Sequence, residues 1–369
     1  MTTILRTPTR RATALAMATA AVLAACSGAS GKSASTTDAS TTTTAASTTT
    51  TEATTTTAAT TTTTLAPTTT VPPPVYPLTG LPAPDALATL RPAIVVKIDN
   101  HTDARPQAGL NQADIVYEEI VEGITRFFTI FQSTDAGPVG PIRSARSTDV
   151  DLLDQLNRPL FVWSGGNRNV VREIGGANAI SMAYGQGPGF YRDRRGRSVA
   201  SEHTLFNEGT STIYSQVQPG QIAPVPFFSY RPVGTPSTAG QPVTVIDAGM
   251  NSVPVHWAWD AAQGLWIRSE YGAPHVDASG VPVNAANVVV QFVPYQASSA
   301  DARSPEAVTI GEGDAWIFTD GKLIFGHWSR PDVNKPAAFT DAGGQPVLLT
   351  PGRTWIELAE AGTTNVTYG

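Results

Sequence analysis

Apolar residues recur in this chain in short β-branched and aromatic runs, separated by clusters of Gly, Pro, Asn, Asp and Ser, from residue 76 onward. Residues 94–98, Ile-Val-Val-Lys-Ile, are apolar on both parities except for one lysine, the pattern of a strand covered on both faces. A turn-prone Asp99-Asn100-His101 follows. Residues 114–121 and 124–131 predict two hairpin arms around Glu122-Gly123. In the second arm Phe127, Thr129 and Phe131 share one face, and Arg126, Phe128 and Ile130 the other. Leu152, Leu153 and Leu156 form the stripe of a helix over 149–156. Residues 159–163 read as another buried strand, which runs through Ser164-Gly165-Gly166-Asn167 into a short helix at 170–174. A last helix is expected over 207–217. Strands and helices interleaved in this way predict an α/β domain over 76–232, a sheet with packed helices.

The rhythm changes after 231–242, a stretch rich in Pro, Gly, Ser and Thr that marks a boundary. Strands are expected at 243–246, 255–259, 265–269, 288–293, 315–318 and 323–328, with Asp320-Gly321 as a hairpin turn between the last two. The expectation for 240–369 is a mainly antiparallel β domain, barrel-like in form. Its six tryptophans (257, 259, 266, 316, 328 and 355) read as core aromatics rather than a sugar-stacking platform.

The first 75 residues follow neither rhythm. Arg6, Arg10 and Arg11 precede an Ala-rich apolar stretch and then Leu23-Ala24-Ala25-Cys26, the shape of a bacterial lipoprotein export signal over 1–25. Cys26 is the only cysteine. Exported to an oxidising space it has no disulfide partner within the chain, whereas a diacylglycerol on its sulfur would anchor the mature protein to a membrane. Residues 26–75 are dominated by Thr, Ala and Pro, contain no aromatic residue, and are expected to be a disordered tether. A flexible coil of this length spans roughly 40 Å, from ~5–6 Å times the square root of length.

Charge narrows the partners. The full chain carries a formal net charge of -6; removing 1–25 takes away three arginines and no acid, leaving -9. Such a body is not built for nucleic acid, and membrane attachment is expected through the lipid rather than through basic residues. Gly-x-Ser-x-Gly, Ser-x-x-Lys, His-Glu-x-x-His and Cys-x-x-Cys are all missing. The five histidines (101, 203, 256, 275 and 327) show no metal-ligand spacing, so neither metal nor cofactor is expected.

Ordered motifs then point to a family. Tyr76-Pro77-Leu78-Thr79-Gly80-Leu81, Ile98-Asp99-Asn100-His101, Ala104-Arg105-Pro106-Gln107 and Ala113-Asp114-Ile115-Val116-Tyr117-Glu118 resemble the YerB-like bacterial lipoproteins. Glu122-Gly123-Ile124-Thr125-Arg126, Gly140-Pro141-Ile142-Arg143-Ser144-Ala145-Arg146, Trp266-Ile267-Arg268, Trp328-Ser329-Arg330 and Pro351-Gly352-Arg353-Thr354-Trp355 extend the resemblance over nearly all of 76–369. It implies two adjoining domains of unknown function, export, lipid anchoring and an envelope role near peptidoglycan assembly, with no established reaction. His203-Thr204-Leu205-Phe206-Asn207 departs from the family's Pro-His-Asn-Leu-Tyr pattern, so no family role passes to His203.

Charged residues cluster in the first domain. Asp99, Glu118, Glu122 and His203 are the candidates for acid–base chemistry; Asn100, Arg105, Arg126, Arg143, Ser144 and Arg146 are candidates for gripping an anion, with Arg143 and Arg146 just before a helix N-terminus. Two readings follow. The preferred one is a lipid-anchored binding or adaptor module whose partners are wall-synthesis proteins or wall polymer. The alternative is a hydrolase or transferase acting on an anionic envelope glycan, which requires the carboxylates to converge in one open cleft.

Overall fold

The computed structural model describes residues 73–369. The export signal, Cys26 and nearly all of the expected tether lie outside the described residues. The first four long apolar runs form β1 (Ile94–Asp99), β2 (Ile115–Ile120), β3 (Thr125–Phe131) and β4 (Leu160–Trp163), and every residue in them is buried. β2 and β3 make the expected hairpin, closed by Val121 N–H donating to Ile124 O at 2.8 Å. Gly123 takes φ +75° there, a conformation that a side chain would resist. Helix α1 covers Thr148–Asp154 and α2 covers Arg168–Gly176, followed by β5 (Ile180–Ala183). The helix expected over 207–217 is shorter: Leu205–Asn207 is a strand, and only Thr210–Tyr214 is helical.

Among the described residues the largest sheet has eleven strands. β1, β4 and β5 run parallel, while β3 pairs antiparallel with both β1 and β2. Strand Thr354–Glu360 then lies parallel to β2, with Glu118 opposite Glu357, and parallel to Asn287–Val293 on its other side. Strands Gly311–Thr319, Lys322–Arg330 and Ala338–Asp341 continue antiparallel to the edge. Strands of 76–232 and of 240–369 therefore share one sheet. A second, antiparallel sheet of six strands is built around Val245–Met250, Val253–Asp260 and Leu265–Glu270. The first stretch is thus a mixed sheet with helices and the second mainly antiparallel. The antiparallel strands do not close as a barrel; they divide between two open sheets.

Alternation along the strands builds two cores. One face of the large sheet presents Ile94, Val96, Ile98, Val116 and Phe127 to Val255, Trp257 and Trp266 of the six-stranded sheet. The opposite face presents Val95, Ile115 and Phe128 to Leu152, Leu153, Val170 and Ile174 of the two helices. Each buried Leu, Val or Phe contributes about 1.5–3 kcal/mol. Trp257, Trp266, Trp328 and Trp355 are buried, and Trp257 meets Trp355 edge to face at 5.3 Å.

Candidate functional site

Strands covered on both faces tolerate a charge only if it is paired. β1, β2 and β3 nevertheless carry Lys97, Asp99, Glu118, Glu119 and Arg126, all buried. Strand parity sorts them. Lys97, Asp99, Glu119 and Arg126 point to the helix face, whereas Glu118 shares its face with Val116 and points to the six-stranded sheet.

Behind the sheet, Glu118 enters a closed network. Arg268 donates Nη2 to Glu118 Oε2 at 2.5 Å and Nη1 to Glu270, and lies 2.7 Å from His275 Nδ1. Its guanidinium sits over the Trp355 ring, 4.9 Å from the centroid. Asn100 donates to Thr125 Oγ1 and to Glu270 Oε1, each at 2.9 Å, and Arg105 pairs with Glu270. Trp257 Nε1 donates to Glu357 at 3.0 Å. Burial and the neighbouring Glu270 push the Glu118 carboxyl up, and burial and Glu118 push Glu357 well up, so charge is disfavoured on both. Burial, with Arg268 alongside, pushes the His275 imidazole down to about 3, leaving it neutral.

On the helix face the cluster reaches solvent. Burial acts against charge on Asp99, but its hydrogen bond with His203 and the nearby Arg143 hold the carboxyl below the usual range. Asp99 Oδ2 lies 2.6 Å from His203 Nδ1, and Oδ1 accepts from the His101 amide at 3.0 Å. Arg143 Nε is 3.2 Å from Asp99 Oδ2 but is misaligned for a hydrogen bond. Arg126, opposite Asp99 in register, donates Nη1 to Ser144 O at 3.2 Å. Burial and the adjacent Arg146 and Arg143 lower it to about 10. Arg146 pairs with Glu122 at 2.7 Å. The Nε groups of Arg126, Arg143 and Arg146 are shielded yet have no hydrogen-bond partner. Beside them opens a cleft of about 450 Å³, lined by Glu122, Ser144, Arg146, Gly166 and Asn167, with Asp301 and Arg303 at its far side.

The structure therefore brings Asp99, His203, Arg126, Arg143, Ser144, Arg146 and Glu122 to one region. It places Glu118, Asn100 and Arg105 on the other side of the sheet. The helix after Arg146 does not offer a free N-terminus: the Asp149 carboxylate accepts the Arg146 amide at 2.8 Å and Lys97 Nζ at 2.7 Å, and Lys97 also pairs with Glu119. Sequence reasoning passed over Arg268, Glu270, His275, Glu357 and the Lys97–Glu119–Asp149 triad. The one available signal was a lone charge inside a run otherwise fit for burial.

The family model described as "Protein of unknown function (DUF3048) N-terminal domain" matches residues 78–224, and its C-terminal counterpart matches 244–356. A curated Bacillus subtilis (strain 168) protein described as "Putative lipoprotein YerB" is 30% identical over 289 residues, 76% of this chain and 85% of that protein. The crystal structure of the YerB protein from Bacillus subtilis shares the fold, with a TM-score of 0.66 at 24% identity over 79% of this chain and 99% of that one. Among the described residues no helix is long and apolar enough to cross a membrane. The two matched segments and the extent of the shared sequence show that the chain belongs to the DUF3048 family, whose YerB member is its lipoprotein-described relative.

Proposed function

We propose that this chain is anchored through lipid on Cys26 to the outer side of the cell membrane. There its folded part acts as a binding module that holds an anionic group of wall polymer, or of a wall-assembly partner, in the cleft beside Arg146. The observation that carries this reading is the crowding of Arg126, Arg143 and Arg146, whose inward Nε donors lack partners. Arg146 pairs with Glu122, while Asp99, beside Arg143, is already engaged by His203. An incoming carboxylate or phosphate would meet Arg146, the one of the three that lines the cleft, and relieve the like-charge repulsion among them. The relative's description as a lipoprotein supports the anchor.

The hydrolase alternative asks for two cooperating carboxyls across an open cleft. Asp99 and Glu118 project to opposite faces, and Glu118 is sealed behind Trp355 and Arg268, which supports binding over turnover. The test is co-sedimentation of the mature chain, residues 26–369, with labelled anionic wall polymer. Saturable, salt-sensitive retention with the polymer intact is expected. Retention unchanged in an Arg143→Ala/Arg146→Ala double variant would remove the site, and release of soluble labelled fragments would favour the enzyme.

A further inference from the structure

We infer that His203, His101 and Asp103 form a site for a single transition-metal dication of the zinc class, at the exposed rim where β1 ends. This goes beyond the anion-binding reading and does not depend on it. Linear spacing hides the site, because 102 residues of sequence separate the two histidines; the fold stacks their rings with centroids 4.4 Å apart. One ligand-capable atom from each of His101, Asp103 and His203 lies within 4.8 Å of the others.

The second observation is the way His203 is held. Asp99, fully buried, lies 2.6 Å from His203 Nδ1, so Nδ1–H donates to the carboxylate and Nε2 is the nitrogen turned to a ligand. A buried carboxylate behind an imidazole fixes tautomer and ring orientation and raises ligand basicity, the usual support of a metal-binding histidine. Asp99 is itself locked by the His101 amide and flanked by Arg143, so it can orient His203 without being a ligand. His203 is thus the rigid ligand, with 7% of its side chain exposed.

His101 is the adjustable one, with 40% of its side chain exposed. The two rings are only 15° from parallel, and an ion cannot lie in both planes while they stack. His101 must swing out, giving up its Nδ1 hydrogen bond with the Asp103 amide at 3.1 Å. That amide is exposed, and water replaces the lost acceptor at little cost. Asp103 Oδ2, now 3.8 Å from His101 Nδ1, supplies the third ligand, and water completes a tetrahedron. Two imidazoles with a single carboxylate suit zinc, copper or nickel, whereas calcium and magnesium demand more oxygens. The nearby Arg197 is turned to the backbone carbonyls of Asp103 and Arg105, so it does not claim the Asp103 carboxylate.

The test is calorimetric titration of zinc chloride into the chelator-stripped mature chain, in a buffer that does not bind metal. One saturable site is expected. His101→Ala and Asp103→Asn should each weaken it at least about tenfold, and Asp99→Asn, which removes the orienting charge without removing a ligand, about ten- to hundredfold. Cobalt in place of zinc should give the visible absorption of a low-coordinate site and lose it in His101→Ala. The double variant His256→Ala/His327→Ala, which removes two exposed imidazoles paired with Asp247 and Asp314, should bind as the wild type does. His101 is exposed, so its variant keeps the test readable even if Asp99 or His203 variants unfold. Heat no greater than dilution, or binding that persists in His101→Ala and vanishes in the His256/His327 double variant, would overturn the site.

Discussion

The two faces of the central sheet handle buried charge in opposite ways. Toward the six-stranded sheet, Glu118, Glu270, Arg105 and Arg268 close on one another with His275 neutral, and burial disfavours charge on Glu357. Toward the helices, Arg126, Arg143 and Arg146 gather with unmatched donors next to a cleft. The closed network holds together strands far apart in sequence, since Arg268 reaches Glu118 across 150 residues. Both sides leave some polar atoms unpartnered, Arg105 Nε, Arg268 Nε and Glu357 Oε2 on the closed side; only the open cluster has a cleft beside it. Position relative to solvent, rather than residue type, separates a structural ion network from a candidate site.

The sharpest way to break this contrast is Arg268→Met. It leaves Glu118 without its arginine and Glu270 with Arg105 alone, and should cost about 3–5 kcal/mol in urea unfolding, the usual penalty for breaking a buried pair. Glu357→Gln should cost much less, because burial and Glu118 already disfavour charge on its carboxyl. If Arg268→Met unfolds like the wild type, the network is not what holds the two faces together.

Next in size is the pH response of the Lys97–Glu119–Asp149 triad. Burial and the adjacent Asp149 raise Glu119 from 4.5 to about 7, against the pull of Lys97. The native state therefore holds a proton that the unfolded chain releases between those values. The stabilisation is complete below 4.5 and is lost as pH climbs through about 7, with a slope of up to about 1.4 kcal/mol per pH unit. Glu119→Gln should flatten the unfolding free energy over that window; a slope that survives the substitution would assign the proton elsewhere.

Smaller effects on stability belong to the open side. Arg146→Ala removes a partly exposed pair with Glu122 and should change unfolding by less than about 1 kcal/mol. Retention of anionic polymer should nonetheless fall about tenfold or more, since a charge-assisted hydrogen bond contributes about 1.5–3 kcal/mol. A large stability loss with binding intact would make Arg146 structural. Least of all, raising salt should weaken polymer retention while leaving the urea midpoint of the closed network almost unchanged, because buried pairs are screened little.

Much of the architecture was legible in the chain. The hairpin around Glu122-Gly123, the buried runs at 94–98 and 159–163 and the leucine stripe of α1 all declare themselves through period and turn chemistry. The helix expected over 207–217 is overdrawn: Asn207 pairs with Phe190 in a strand, Gly209 at φ +137° precedes the helix, and the helix ends at Tyr214. Site residues were less legible for a simple reason. Glu118 and Glu119 are neighbours with the same chemistry, and only their parity on β2 sends one to Arg268 and the other to Lys97.

Sequence alone determined the things that depend on local order: strand and turn periods, the ordered family motifs, and a single cysteine at position 26. Tertiary structure decided everything that depends on distant segments meeting. Thr354–Glu360 slides between β2 and Asn287–Val293, Arg268 neutralises Glu118, and His203 arrives beside His101. The physical reason is that a residue's own chemistry and spacing fix its local conformation, whereas its charge state and partners are set by what the folded sheet brings within a few ångströms of it.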